Sequence, residues 1–205
     1  MKHIFLIIFL LGITSLFSYS QRFEGGVLGG LNASQVDGDT FSGYRKPGIV
    51  AGGYVQTNLS RRMFVAMELK FAQKGSRNID SSATDGNIKY VMRLSYAEMP
   101  VYLGIRTSDR ISILAGLSPG YLIRGTEYDN YSTIPVEEQH PFKPIDVEAF
   151  LGFRFKMTSR LFVDLRGAYS VVPIRQKLPG KVLWYWKGNQ FNNLLATTII
   201  YRLDF

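Results

Sequence analysis

Few residues in this 205-residue chain could do acid–base, metal or nucleophilic chemistry: it has two histidines and no cysteine. His3 lies in an opening segment expected to be removed, which leaves His140, in Glu137-Glu138-Gln139-His140. One histidine and two glutamates could hold a metal ion, but four positions in a polar stretch read more simply as solvated loop. A serine nucleophile would need a base beside it, and no motif surrounds His140. Without cysteine, thiol catalysis, thiolate zinc sites, disulfides and lipoprotein anchoring are excluded. The expectation is a non-enzymatic protein with no cofactor and no metal.

The residues that carry information are the charges. There are 24 Lys and Arg against 16 Asp and Glu, a formal +8. Such a balance could suit nucleic acid, but the bases are scattered among apolar residues rather than clustered with aromatics, so no nucleic-acid binding is expected. What recurs instead is period two, in eight alternating segments: 22–34, 47–59, 62–74, 89–107, 110–124, 145–157, 160–172 and 191–205. Alternation is the period of a half-buried strand. Three connections are short, at Ser60-Arg61-Arg62, Ser108-Asp109-Arg110 and Thr158-Ser159-Arg160. The other four, roughly 35–46, 75–88, 125–144 and 173–190, are long and rich in Gly, Asp, Asn, Pro and Ser.

One face of these segments, taken from Phe23 to Phe205, holds 47 positions and no charge, where the 20% charged content of the chain would place about nine. The other face holds Glu24, Glu68, Lys70, Glu98, Arg106, Glu148, Arg154, Lys156, Asp164, Arg166, Arg202 and Asp204, six acids and six bases. Lys or Arg facing mid-bilayer costs ~2–4 kcal/mol, so the charged face must point inward. A soluble lipid-binding barrel would show the inverse. In lipid every peptide group must be paired, and a spanning sheet therefore closes on itself. The predicted fold is all-β: an eight-stranded antiparallel up-and-down transmembrane β-barrel with short periplasmic turns and long extracellular loops. Eight strands leave room for side chains and little else, so the balanced charges read as an ion-paired plug. Lys89 and Arg93 share the outward phase, so the start of the fourth segment either stands above the membrane or slips by one residue. Pro100 and Pro119 interrupt strands and are expected to sit at bulges.

The ends of the chain support export. Met1-Lys2-His3, an apolar run from Ile4 to Phe17 and the small Ser18 and Ser20 form a signal peptide over 1–20, with the barrel domain over 21–205. Tyr201, Leu203 and Phe205 alternate to the last residue, as a C-terminal signal read by the barrel assembly machinery would, through addition to a sheet edge. The long connections segregate charge. Glu127, Asp129, Glu137 and Glu138 lie in the third. Arg175, Lys177, Lys181 and Lys187 lie in the fourth, with Trp184, Tyr185 and Trp186. These could pair as a lid, or the basic loop could bind anionic lipid or glycan. Separately solvated loops remain the simplest reading.

Four segments carry a family likeness. Gly29-Gly30-Leu31-Asn32-Ala33-Ser34, Glu68-Leu69-Lys70-Phe71-Ala72-Gln73-Lys74-Gly75-Ser76, Tyr96-Ala97-Glu98-Met99-Pro100 and Gly116-Leu117-Ser118-Pro119-Gly120-Tyr121-Leu122 resemble segments of the PorT-like outer-membrane β-barrels, with Phe71 in place of the usual Tyr. The resemblance implies a place in the outer membrane of a Gram-negative envelope, and it implies no single activity. A structural, accessory or binding role at the cell surface is the first expectation. A narrow porin or an accessory of protein export by type-nine secretion is the second, and a soluble secreted lipid-binding barrel the third. Expected partners are outer-membrane lipid, the assembly machinery and secretion-system or surface components, around a monomer.

Overall fold

The structure, a computed structural model, describes residues 22–39, 43–79, 88–129, 132–133, 141–175 and 189–203. Ten strands follow one another: β1 (Phe23–Asp37), β2 (Lys46–Asn58), β3 (Met63–Ile79), β4 (Ile88–Glu98), β5 (Val101–Arg106), β6 (Ile111–Asp129), β7 (Ser132–Thr133), β8 (Ile145–Lys156), β9 (Leu161–Ser170) and β10 (Phe191–Leu203). All pairings are antiparallel, and β1 pairs with both β2 and β10, which closes the sheet. β4 and β5 are two halves of one stave between β3 and β6, while β7 only extends the end of β6. The barrel therefore has eight staves, in chain order, and all-β up-and-down architecture.

The three short turns share one device. At each, two successive N–H groups converge on the carbonyl of the first residue of the next strand: Leu59 and Ser60 on Met63, Thr107 and Ser108 on Ile111, Met157 and Thr158 on Leu161. The Ser60, Ser108 and Thr158 hydroxyls then accept the N–H groups two and three residues on. A hydroxyl that replaces a backbone partner is what favours Ser and Thr at such places.

Side chains alternate as strand geometry requires. Of the outward positions that are described, only Thr57 is buried; Leu31, Leu69, Leu151 and Tyr121 are among the most exposed. A band of exposed Leu, Ile, Val and Phe around a closed sheet is costly in water and suited to hydrocarbon. The interior mixes two materials. Three apolar clusters lie inside, around Leu28–Tyr54–Ile200, Phe64–Tyr102–Phe150 and Met92–Leu94–Tyr96, with buried charges between them. The lumen is thus filled by rings and aliphatic groups as well as by ions. Close packing fixes Gly104, where a Cβ would run into the ring of Phe64.

Several strand limits differ from the periodicity. β1, β3 and β6 run three to five residues beyond their predicted ends, because their outer parts stay paired above the apolar band. Arg93 pairs in unbroken register with Gly75 and is exposed, so this stretch stands above the band and does not slip against β3. Neither proline makes a bulge. The register is the same on both sides of Met99–Pro100, with Lys70↔Glu98 and Met67↔Val101 on one flank and Glu98↔Gly120 and Val101↔Leu117 on the other. Proline removes one donor there, but its carbonyl still accepts the Glu68 N–H at 2.9 Å, and the Met99 N–H reaches the Pro119 carbonyl at 2.8 Å. Pro119 pairs regularly with Val147. The β4–β6 bulge lies higher, where Ser95 faces Arg124 and Tyr96 faces Leu122, so that Ile123 is the extra residue.

Candidate functional site

The central buried charges come from β3 and β4 on one side of the ring and from β8 and β9 on the other, and they meet inside it. Arg154 of β8 reaches three other staves. Its Nε and Nη2 donate to Asp164 of β9 at 2.7 and 2.9 Å, its Nη1 to Gln56 of β2 at 2.9 Å and its Nη2 to the Tyr102 hydroxyl of β5 at 2.8 Å. Arg166 of β9 donates to Asp164 at 2.7 Å and forks onto Glu68 of β3 at 2.5 and 3.0 Å. Tyr102 donates in turn to Glu68 at 2.8 Å. Two parallel N–H···O contacts on one carboxylate are the strong, orienting form of the pair.

A second cluster is built on one lysine. Lys74 contacts Glu98, sits 2.6 Å from Glu148 and lies 3.6 Å from Asp146. Its ammonium also lies 4.9 Å from the centre of the Tyr96 ring, within cation–π range. Asp146 has further donors in the Ser170 hydroxyl at 2.7 Å and Asn192 at 2.8 Å. Lys70 joins the clusters, 3.3 Å from Glu98 and 3.8 Å from Glu68. A polar chain thus runs lengthwise from Asn192 through Asp146, Lys74, Glu98, Lys70, Glu68, Arg166, Asp164 and Arg154 to Gln56, Glu24 and Arg202. A cavity beside Lys70, Lys74 and Glu148 in this middle section has about 20 Å³, room for about one water molecule.

The alternation placed Glu68, Lys70, Glu98, Glu148, Arg154, Asp164 and Arg166 in one face, and the structure brings all seven together. Lys74 and Asp146 share that phase and are equally buried; they stand at the ends of the predicted segments 62–74 and 145–157, outside the predicted set. Four of the expected plug members, Glu24, Arg106, Lys156 and Arg202, sit elsewhere. Arg202 pairs with Glu24 at 3.2 Å in a half-buried position. Among the described residues the Arg106 guanidinium donates only to neutral oxygens, of Asn58 at 2.5 Å and of the Arg61 carbonyl at 3.2 Å. Lys156 is exposed and has no ion pair among the described residues. These four line an open vestibule of about 570 Å³ at the short-turn end. An ion-paired plug throughout is therefore corrected to a paired middle and a basic, open end. Phase reports inward direction and is silent on depth.

At the other end Arg175 forks onto Glu127 of β6, at 2.9 and 2.6 Å, and lies 3.7 Å from the centre of the Phe142 ring. Tyr90 donates to the same carboxylate. One acid of the third long connection and one base of the fourth are thus in contact, buried. Lys177, Lys181, Trp184, Trp186 and Lys187 lie outside the described residues, as do Glu137, Glu138 and His140. So do Asp204, Phe205 and the signal segment 1–20. Tyr201 and Leu203 are on the exposed face of β10.

The family model for the outer membrane protein beta-barrel domain matches residues 17–176. No curated protein matches the chain by sequence. Among solved structures, the chain is similar to Ail, the attachment invasion locus protein of Yersinia pestis, which was solved in complex with the heparin analogue sucrose octasulfate. The identity is 15% and the TM-score 0.51, covering 89% of this chain and 99% of that one. It is also similar to Neisserial surface protein A, at 11% identity and TM-score 0.55, covering 90% of this chain and all of the other. At these identities the likeness is one of fold.

Proposed function

The chain belongs to the outer membrane protein beta-barrel domain family, and from that premise we propose a closed, non-enzymatic barrel that works as a structural or binding component at the cell surface. Its place is the outer membrane, so the secreted, soluble lipid-binding alternative falls. In such barrels the short turns face the periplasm and the long connections face outward.

The observation that carries this reading is the filled middle of the lumen. Salt-bridged side chains from opposite staves meet there around a cavity of about 20 Å³, and a hydrated solute cannot pass without breaking buried pairs. Work is then left to the two ends and the outer wall. Single-channel recording in planar bilayers tests it: no steps above baseline are expected, and regular conductance steps from the folded protein would replace this reading with the narrow-porin one. Within the family, the four likenesses to PorT-like barrels support an accessory part in type-nine export as the second reading. Capture of secretion-system components from mild detergent extracts is its test. Outer-membrane lipid meets the apolar band, the assembly machinery reads Tyr201, Leu203 and Phe205, and the protein acts as a monomer.

A further inference from the structure

The basic vestibule is unused by the reading above. It is walled by the ends of the staves and by two of the short turns, and its floor is the Phe64 and Phe162 rings with Arg154. Seven basic side chains line it against two acidic ones, Glu24 and Asp109. Arg154 and Arg202 are matched by Asp164 and Glu24. Arg61, Arg62, Arg106, Arg110 and Lys156 have no carboxylate partner among the described residues. A concave site with one sign of charge and a low-dielectric wall concentrates counter-ions of the other sign. Its volume of about 570 Å³ is that of a small-molecule site.

The geometry points to a binding site for a compact, multiply charged phosphate anion, entered from the short-turn end. Charge density selects phosphate: several unmatched cations face a space of metabolite size, and a phosphomonoester or short polyphosphate of that size brings two or more negative charges. Four of the five are arginines, whose planar forks match phosphate oxygens in pairs. The Arg106 guanidinium is already oriented, lying 5.1 Å from the centre of the Phe64 ring. The same chemistry is present in soluble phosphate compounds and in phospholipid headgroups. The site lies inside the staves, whereas acyl chains lie outside them, which favours a soluble source.

Calorimetric titration of the purified full chain in neutral detergent with sodium tripolyphosphate tests this. One saturable site is expected, weakened at least tenfold between 50 and 300 mM NaCl, as screening requires. Arg110→Gln and Lys156→Gln should each weaken it about fivefold or more. Arg22→Gln, an exposed base of the same end that does not line the vestibule, should leave it unchanged. A heat-induced gel shift confirms that each variant is folded. Repeating the titration in nanodiscs separates the sources. Binding that persists in both phosphatidylcholine and cardiolipin discs supports a soluble ligand, and loss in cardiolipin discs alone supports the lipid headgroup as occupant. Absence of saturable binding in detergent and in both discs overturns the proposal, as does an equal loss with Arg22→Gln.

Discussion

Lys74→Met removes one cation from contact with three carboxylates, and the structure ranks what each then loses. Glu98 keeps Lys70 at 3.3 Å and the Ser118 hydroxyl at 3.3 Å. Asp146 keeps Ser170 and Asn192. Glu148 keeps nothing described, because Lys74 at 2.6 Å is its sole partner. Breaking a buried pair by removing one member costs ~3–5 kcal/mol, since the survivor stays desolvated and unmatched. Lys74→Met should lie at the upper end of that range. Arg154→Met should lie at the lower end, because Asp164 retains Arg166 at 2.7 Å. The assay is urea unfolding from lipid vesicles, followed by fluorescence, with both variants and wild type at one pH. A second substitution sharpens it: Glu148→Gln in the Lys74→Met background should return about 2 kcal/mol, and Asp146→Asn clearly less. If Lys74→Met costs under 1 kcal/mol, or Arg154→Met costs more, then the interior ions do not hold the staves as argued.

Other outcomes follow from the wall and the two ends. Leu151→Arg, on the exposed face at the middle of β8, should destabilise by ~2–4 kcal/mol in vesicles, and Leu59→Arg near the short turns by no more than ~1, because the cost falls toward the interface; equal costs would contradict the assigned band. Gly104→Ala should cost ~1–3 kcal/mol in the same unfolding assay, since the Phe64 ring must leave its position. Arg175→Gln leaves Glu127, among the described residues, with the Tyr90 hydroxyl and should speed limited proteolysis of the outer connections several-fold without lowering the yield of folded barrel. Unchanged cleavage would show that this contact restrains nothing.

Much of the architecture was legible because lipid is intolerant. A charge on the outer face at mid-bilayer is penalised directly, so Leu69, Leu151 and Ile199 announce their side without any knowledge of neighbours. The seven central ions were legible for the same reason, by exclusion from that face. Their partners were not, because Arg154 meets Gln56 across 98 residues of chain, a relation set by stave order and stagger. Height was also hidden. Lys156 and Arg154 are two residues apart in one phase, yet one is exposed and the other carries four hydrogen bonds. Pro100 and Pro119 misled for a local reason: a missing donor was read as an inserted residue, whereas neighbouring carbonyls and amides bridge the gap at constant register.

Among the described residues the staves are of uneven length, and the longest stand side by side. β6 continues eight residues past Tyr121, where its ladder with β8 stops, and β3 continues seven past Ala72, where its ladder with β2 stops. At ~3.3 Å per residue this is a three-stranded palisade some 20–25 Å long, hung from a single arc of the ring. A macromolecule that approaches from outside the cell over this arc meets paired backbone, held by ladder bonds on both sides of β4.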